Sequence, residues 1–324
     1  MSRPEATISG AKKAAQQIRQ YLPPRLSRPL SALDRLDGWE EIRLRGGRPL
    51  AVFSEGTIWY VTGAGEICEV PGEALHIRRE DLKETLSLMT GGSVYAREDE
   101  LSQGYLTLPG GHRVGVVGQV VVQQGKVKRL LHPGGMNIRR CREFLGVAKP
   151  LVNQLHSGRQ WRNTVIISPP GCGKTTLLRD LVRLISNGIP RQQIRGRSVG
   201  LVDERSEVAA CHRGIPTFEI GVHTDVVDAC PKAEGMLMLL RSMGPEVLAT
   251  DELGRAEDAV AVREALNGGV SVLTTVHAKD VMEGAQRPHI GPLLRDGSFC
   301  RAVTLSRRNG PGTLEEVAHL PVER

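Results

Sequence analysis

Aromatic side chains are scarce in this 324-residue sequence: three Trp, four Tyr and four Phe make up 3% of it. Proteins that hold single-stranded nucleic acid stack its bases on aromatic rings, and few rings are available here. The six cysteines (68, 141, 172, 211, 230 and 300) form no C-x-x-C pair, which argues against a zinc site and a disulfide framework. No window of about 18 apolar residues occurs, so no membrane-spanning helix is expected. The opening Met-Ser-Arg-Pro-Glu-Ala-Thr lacks the apolar core of a signal peptide, and a cytosolic protein is expected. Against these shortages, 40% hydrophobic and 24% charged residues are ordinary globular values, and the length suits two domains. The net charge of +7 would suit nucleic acid, an anionic membrane face or an acidic protein equally. Because the cations are dispersed rather than clustered, nucleic acid is not expected as a partner.

One stretch organises the rest. Thr164 to Ile167 has the apolar, β-branched composition of a buried parallel strand. Ser168, Pro169, Pro170, Gly171, Cys172, Gly173, Lys174 and Thr175 follow, then Thr176 and an apolar stripe at helical spacing through Leu177, Leu178, Leu181, Val182, Leu184 and Ile185. Strand, glycine loop, Lys-Thr and helix is the order of a phosphate cradle. Loop N–H groups converge on phosphates, and the helix N-terminus adds about half a positive charge. Lys174 would reach the β and γ phosphates, and the Thr175 hydroxyl would ligate Mg²⁺. The G-x-x-x-x-G-K-[ST] pattern asks for Gly where Ser168 stands; a residue that ends the strand leaves Gly173, Lys174 and Thr175 in place. The expected ligands are ATP and Mg²⁺. Cys172 reads as a small filler in the loop.

Upstream, residues 11–22 predict a short helix ended by Pro23-Pro24. Residues 41–45, 50–53 and 58–61 read as strands, and a helix starts near Glu80 or Asp81 and stops at Gly91-Gly92. Residues 104–108 and 113–122 flank Pro-Gly-Gly-His as a hairpin, and 126–131 add a strand. Arg139, Arg140 and Arg142 are either a solvated face or phosphate ligands. The expected division is a smaller α+β domain over 1–148 and an α/β P-loop NTPase domain with a parallel sheet over 149–324.

Downstream, two apolar strands end in acids: Val199 to Asp203-Glu204, and Glu246 to Asp251-Glu252. In a parallel sheet, strand C-termini line the ligand crevice. Asp251 would hold the Mg²⁺ shell, and Glu252 would orient and deprotonate the attacking water. A third strand over 270–276 delivers Thr274, Thr275 and His277, and His277 is either a packed side chain or a γ-phosphate contact.

Longer motifs go beyond a generic phosphate loop. Val-Asp-Glu-Arg-Ser-Glu (202–207), Thr-Asp-Val-Val-Asp-Ala-Cys-Pro-Lys-Ala-Glu-Gly (224–235), Arg-Ser-Met (241–243), Thr-Asp-Glu-Leu-Gly-Arg-Ala-Glu-Asp-Ala (250–259) and Leu-Ser-Arg-Arg-Asn-Gly-Pro-Gly-Thr (305–313) resemble the stage III sporulation protein AA family. Ile-Arg-Leu-Arg-Gly-Gly-Arg-Pro-Leu (42–50) and Asn-Ile-Arg (137–139) carry the resemblance into the N-terminal half. That family looks like the secretion and pilus traffic ATPases. The resemblance implies a RecA-like ATPase core behind a separate N-terminal domain, working as a homo-hexamer. It implies a place at the mother-cell face of the forespore outer membrane, with peripheral attachment through membrane proteins of a sporulation channel complex. By the same analogy Glu204 falls in the acidic box, His277 in the histidine box, and Arg139 is the leading trans-acting arginine, ahead of Arg142 and Arg255. A nucleotide-dependent nucleic-acid binder is the competing function.

Overall fold

The computed structural model describes residues 8–36, 38–158 and 160–321. The chain divides into two compact units, the first ending at Glu143 and the second starting at Phe144.

The first unit is built on one antiparallel sheet. Its strands are β1 (Trp39–Arg45), β2 (Ala51–Ser54), β3 (Thr57–Val61), β4 (Ile67–Cys68), β5 (Tyr105–Leu108), β6 (His112–Gln123) and β7 (Lys126–Arg139), in the order β4-β3-β2-β1-β7-β6-β5. Helices α1 (Ile8–Arg19), α2 (Pro24–Ser27), α3 (Arg79–Met89) and α4 (Glu98–Ser102) accompany it. Ile18, Leu26, Trp39, Ile42, Leu82 and Ile138 share one apolar core.

Two expectations shift here. Helix α1 stops at Arg19, short of Leu22, because Pro24 opens α2 and holds Pro23 extended at ψ 153°. Strand β7 continues past Leu131, through Pro133-Gly134-Gly135, to Arg139. The β6–β7 pairing shifts register between Val117 and Gly118, where the partner strand brings Pro133. A Cβ on Gly118 would lie 2.0 Å from the His132 carbonyl oxygen, so only glycine lets the two backbones pass there. Asn137 to Arg139 are therefore central strand, paired with both β1 and β6, and Ile138 is fully buried.

In the second unit, a small hairpin of β8 (His156–Ser157) and β9 (Gln160–Trp161) precedes a seven-stranded sheet. Its strands are β10 (Thr164–Ser168), β11 (Val199–Asp203), β12 (Thr224–Asp228), β13 (Val247–Thr250), β14 (Ser271–His277), β15 (Arg301–Ser306) and β16 (Thr313–His319), ordered β12-β11-β13-β14-β10-β15-β16. Every neighbouring pair is parallel except β15–β16. Helices α5 (Val152–Leu155), α6 (Lys174–Asn187), α7 (Lys232–Ser242), α8 (Ala256–Asn267), α9 (Val281–Gln286) and α10 (Gly291–Arg295) complete it. All five residues of β10 are buried, which is why the strand reads as continuous apolar and β-branched sequence rather than alternating. The expected parallel-sheet α/β domain, following an α+β unit in the sequence, is the architecture found.

Register positions the chemistry. Ser168 at the end of β10 pairs with His277 at the end of β14, and Thr250 pairs with Thr274 on one side and Val202 on the other. The phosphate loop, both acidic pairs and the histidine thus leave the same edge of the sheet, the edge where open parallel sheets place their ligands.

Candidate nucleotide site

Gly171 and Gly173 carry φ values of +71° and +89°, a left-handed backbone in which a side chain is strained. They turn the chain from β10 into α6, whose first helical residue is Lys174. Pro169 and Pro170 are exposed on the loop's rise, Cys172 is buried in its floor, and Thr175 and Thr176 are half-buried in the first helical turn. Ser168 fits its position closely. It is fully buried, its hydroxyl donates to the Pro169 carbonyl at 2.8 Å, and it accepts from the Lys174 ammonium at 3.3 Å.

The Lys174 Nζ donates to the carbonyls of Ser168 (3.0 Å) and Pro169 (3.2 Å) and meets His277 Nδ1 at 2.9 Å. Burial lowers the pKa of Lys174 from its ordinary value, while Asp251, Cys172 and Glu252 pull it back up. Because Nδ1 faces an ammonium, it acts as the acceptor, and the imidazole carries its proton on Nε2. That nitrogen lies 3.4 Å from a carboxylate oxygen of Glu252.

The Thr175 hydroxyl donates to Asp251 Oδ2 at 2.7 Å, and the Thr275 hydroxyl donates to the other Asp251 oxygen. Thr275 also accepts the Glu252 backbone N–H at 2.8 Å, which pins the residue after Asp251 in a left-handed conformation with φ +54°. A hydroxyl and a carboxylate in contact at the foot of a phosphate loop are the hard oxygen donors that Mg²⁺ takes. Among the described residues no cluster of three or more His, Cys, Asp or Glu could hold a metal by itself. A Mg²⁺ site here would therefore draw its other ligands from phosphate and water, as that ion ordinarily does.

The acidic pair after β11 splits into two tasks. Asp203 is buried and accepts the backbone N–H groups of Glu207 (2.9 Å), Val208 (3.0 Å) and Ala209 (2.8 Å), tying down the following turn. Burial, reinforced by Asp228 and opposed by those N–H groups, lifts its pKa to about 6. Glu204 instead forms an ion pair with Lys232. Burial would raise the Glu204 pKa, but the Lys232 bond and the charges of Arg255 and Arg205 outweigh it and hold it low. The same turn carries Arg205, whose guanidinium bonds a Glu252 oxygen at 3.0 Å. Arg205 and Lys232 had no spacing signal; their place follows from the Ser206 turn (φ +52°) and the start of α7.

Lys174, Thr175, Asp251, Glu252 and His277 are thus one contiguous polar group, with Glu204 close by through Arg205 and Lys232. Arg139 belongs to the other unit. It ends β7 with an exposed side chain whose Nε is 3.1 Å from a Glu41 oxygen. Of the competing arginines, Arg142 bonds the Gly38 carbonyl at 3.1 Å and Glu40 at 3.0 Å, and Arg255 is exposed before α8.

Solved structures place the architecture. The ATPase DotB of Legionella pneumophila superposes with a TM-score of 0.54 at 16% identity, covering 87% of this chain and 77% of that one. The pilus retraction motor PilT with bound ADP gives 0.54 at 16% identity, covering 83% and 74%. At that identity the likeness establishes the fold, which is the RecA-like fold of secretion and pilus ATPases. By sequence, "Stage III sporulation protein AA" of Bacillus subtilis (strain 168) is 42% identical over 304 residues, 93% of this chain and 94% of that protein. The uncharacterized protein ycf45 of Cyanidium caldarium is 27% identical over 174 residues, 53% of this chain and 48% of that one. The profile of the family "Sporulation stage III, protein AA" matches residues 12–320, and the chain belongs to that family.

Proposed function

We propose that this chain is an ATP-hydrolysing motor of the secretion-ATPase type that powers a channel-like complex across the forespore envelope. The observation that carries the proposal is the convergence of Lys174, Thr175, Asp251, Glu252 and His277 on one sheet edge. Lys174 supplies positive charge to the β and γ phosphates. Thr175 and Asp251 hold Mg²⁺, which when bound neutralises developing phosphate charge. Glu252 takes a proton from the attacking water as the new oxygen–phosphorus bond forms and the bond to the β-phosphate oxygen breaks. Arg205 bonds the same carboxylate at 3.0 Å and helps to fix its orientation. His277 links the lysine to the glutamate, and Glu204 with Lys232 anchors the neighbouring turn.

The working form is a homo-hexamer in which Arg139 completes the active site of a neighbouring subunit. No helix among the described residues is long and apolar enough to cross a membrane. Attachment at the mother-cell face of the forespore outer membrane would then run through membrane proteins of the channel complex. Nucleic acid is not a partner in this scheme: saturating single-stranded DNA or RNA at about physiological salt should leave turnover unchanged.

The test separates binding from chemistry. Lys174→Ala should abolish ATP binding, whereas Glu252→Gln should bind ATP and lose hydrolysis, because the lysine acts in the ground state and the glutamate only as water attacks. Equal loss of ATP affinity in both variants would overturn these roles.

A further inference from the structure

The motif at 305–313 has no part in the mechanism above, yet it lies against the phosphate loop. Strand β15 pairs with β10 in parallel, Ile167 opposite Thr304, so the turn joining β15 to β16 emerges beside Ser168 to Gly173. The Gly312 N–H donates to the Cys172 carbonyl at 2.9 Å. A Cβ built on Gly173 would lie 3.2 Å from the Gly312 nitrogen. One built on Gly171 would lie 3.5 Å from Arg307 Nη1, 3.6 Å from Cζ and 3.9 Å from Nη2. Those three nearly equal distances mean that the guanidinium is laid flat over the loop glycine.

The turn is braced from within. Arg308 N–H donates to Ser306 Oγ at 3.0 Å, Asn309 N–H to Thr313 Oγ1 at 3.1 Å, and Thr313 Oγ1 to the Gly310 carbonyl at 2.7 Å. The two arginines are used differently. Arg308 is committed to Glu315 at 2.7 Å, whereas the Arg307 side chain has no hydrogen bond or ion pair among the described residues. A rigid turn therefore presents an uncommitted, planar cation at the lip of a loop shaped for phosphate, and a guanidinium fork matches phosphate oxygens in two-point fashion.

We propose that Arg307 is a further nucleotide ligand of this site, contacting the phosphate chain in cis from the β15–β16 turn. This role rests on the ATP site proposed above. It belongs to the ground state, because the turn is tied to the loop that holds the phosphates rather than to the residues that meet the attacking water.

Titration of the full-length chain with ATP and with ADP tests it, using wild type, Arg307→Ala, Arg307→Lys and Lys174→Ala. Arg307→Ala should weaken ATP and ADP alike by about tenfold, with kcat at saturating ATP within twofold of wild type and the Tm unchanged. Arg307→Lys, which keeps the charge and loses the fork, should recover part of the affinity. Wild-type affinity in Arg307→Ala overturns the role, as does a fall in kcat with affinity intact, which would make Arg307 a transition-state group. A wild type that binds no ATP overturns the nucleotide site itself and this ligand with it.

Discussion

The Lys174 ammonium and His277 Nδ1 stand 2.9 Å apart, which joins that lysine to the Glu252 carboxylate through a single imidazole. His277→Ala removes the acceptor from the lysine and the N–H from the glutamate together. The expected result is a fall in kcat of about 10- to 100-fold, with ATP affinity changed less than threefold. Steady-state kinetics alongside direct ATP titration decides this. An unchanged kcat would make His277 a packed side chain.

Arg139 is expected to act on a neighbouring subunit. Among the described residues its exposed side chain is held only by the Glu41 ion pair, a contact of at most about 1 kcal/mol at such a surface. Arg139→Ala should lower kcat at least about tenfold and leave ATP affinity nearly intact. Mixing it with Lys174→Ala subunits should restore activity above the sum of the two proteins, because the defects fall in different sites. Co-assembled mixtures without such a gain would show that Arg139 does not act in trans.

Ser168→Gly would restore the literal loop pattern and should still not improve the protein. The buried hydroxyl gives up its bond to the Pro169 carbonyl and its contact with Lys174, and glycine weakens the strand end. A loss of about 1–2 kcal/mol in urea unfolding is expected, with ATP affinity within a few-fold of wild type. Greater stability in the glycine variant would contradict this account of the serine.

His112 should make the first unit acid-sensitive. It is buried, donates from Nε2 to Gln17 Oε1 at 3.1 Å and accepts the Cys141 N–H at Nδ1 at 3.1 Å, so the neutral ring is fully partnered. Burial, helped by Arg140, pushes its pKa down to about 4. The unfolded chain takes up this proton near pH 6.5 and the folded chain does not. The stability is therefore complete above about pH 6.5 and falls as pH drops toward 4, by about 3 kcal/mol in all. Urea unfolding followed by circular dichroism across this range should show a shallower acid loss in His112→Gln than in wild type. Parallel curves would refute it.

The gathering of Lys174, Thr175, Asp251 and Glu252 at one sheet edge was legible where chemistry and spacing coincide. Gly173-Lys174-Thr175 after an apolar strand has few other uses, and an Asp-Glu pair at a strand end falls on the ligand edge of any parallel sheet. Contacts made by turns were not legible. Nothing about Arg205 in a run of charged residues says that it reaches Glu252, because its direction depends on the left-handed Ser206 beside it. The length of β7 was hidden for a related reason. Pro133-Gly134-Gly135 reads as a turn, and only the facing Gly118, distant in sequence, lets the strand run on. Arg307 could be read as part of a motif, but not as a neighbour of Gly171, since strand order alone brings them together.

Thr275 and His277 stand two residues apart on β14 and so project from the same side of that strand. Thr275 holds Asp251 and the backbone of Glu252; His277 holds Lys174 and faces the Glu252 carboxylate. One short rail thus carries both halves of the machinery. A slide of its tip by a fraction of an ångström would move Asp251, Glu252 and Lys174 as a set. If the chain hydrolyses ATP as proposed, force delivered to the end of β14 would reach Lys174, Asp251 and Glu252 at once, so this strand tip is where mechanical load and hydrolysis would be geared together.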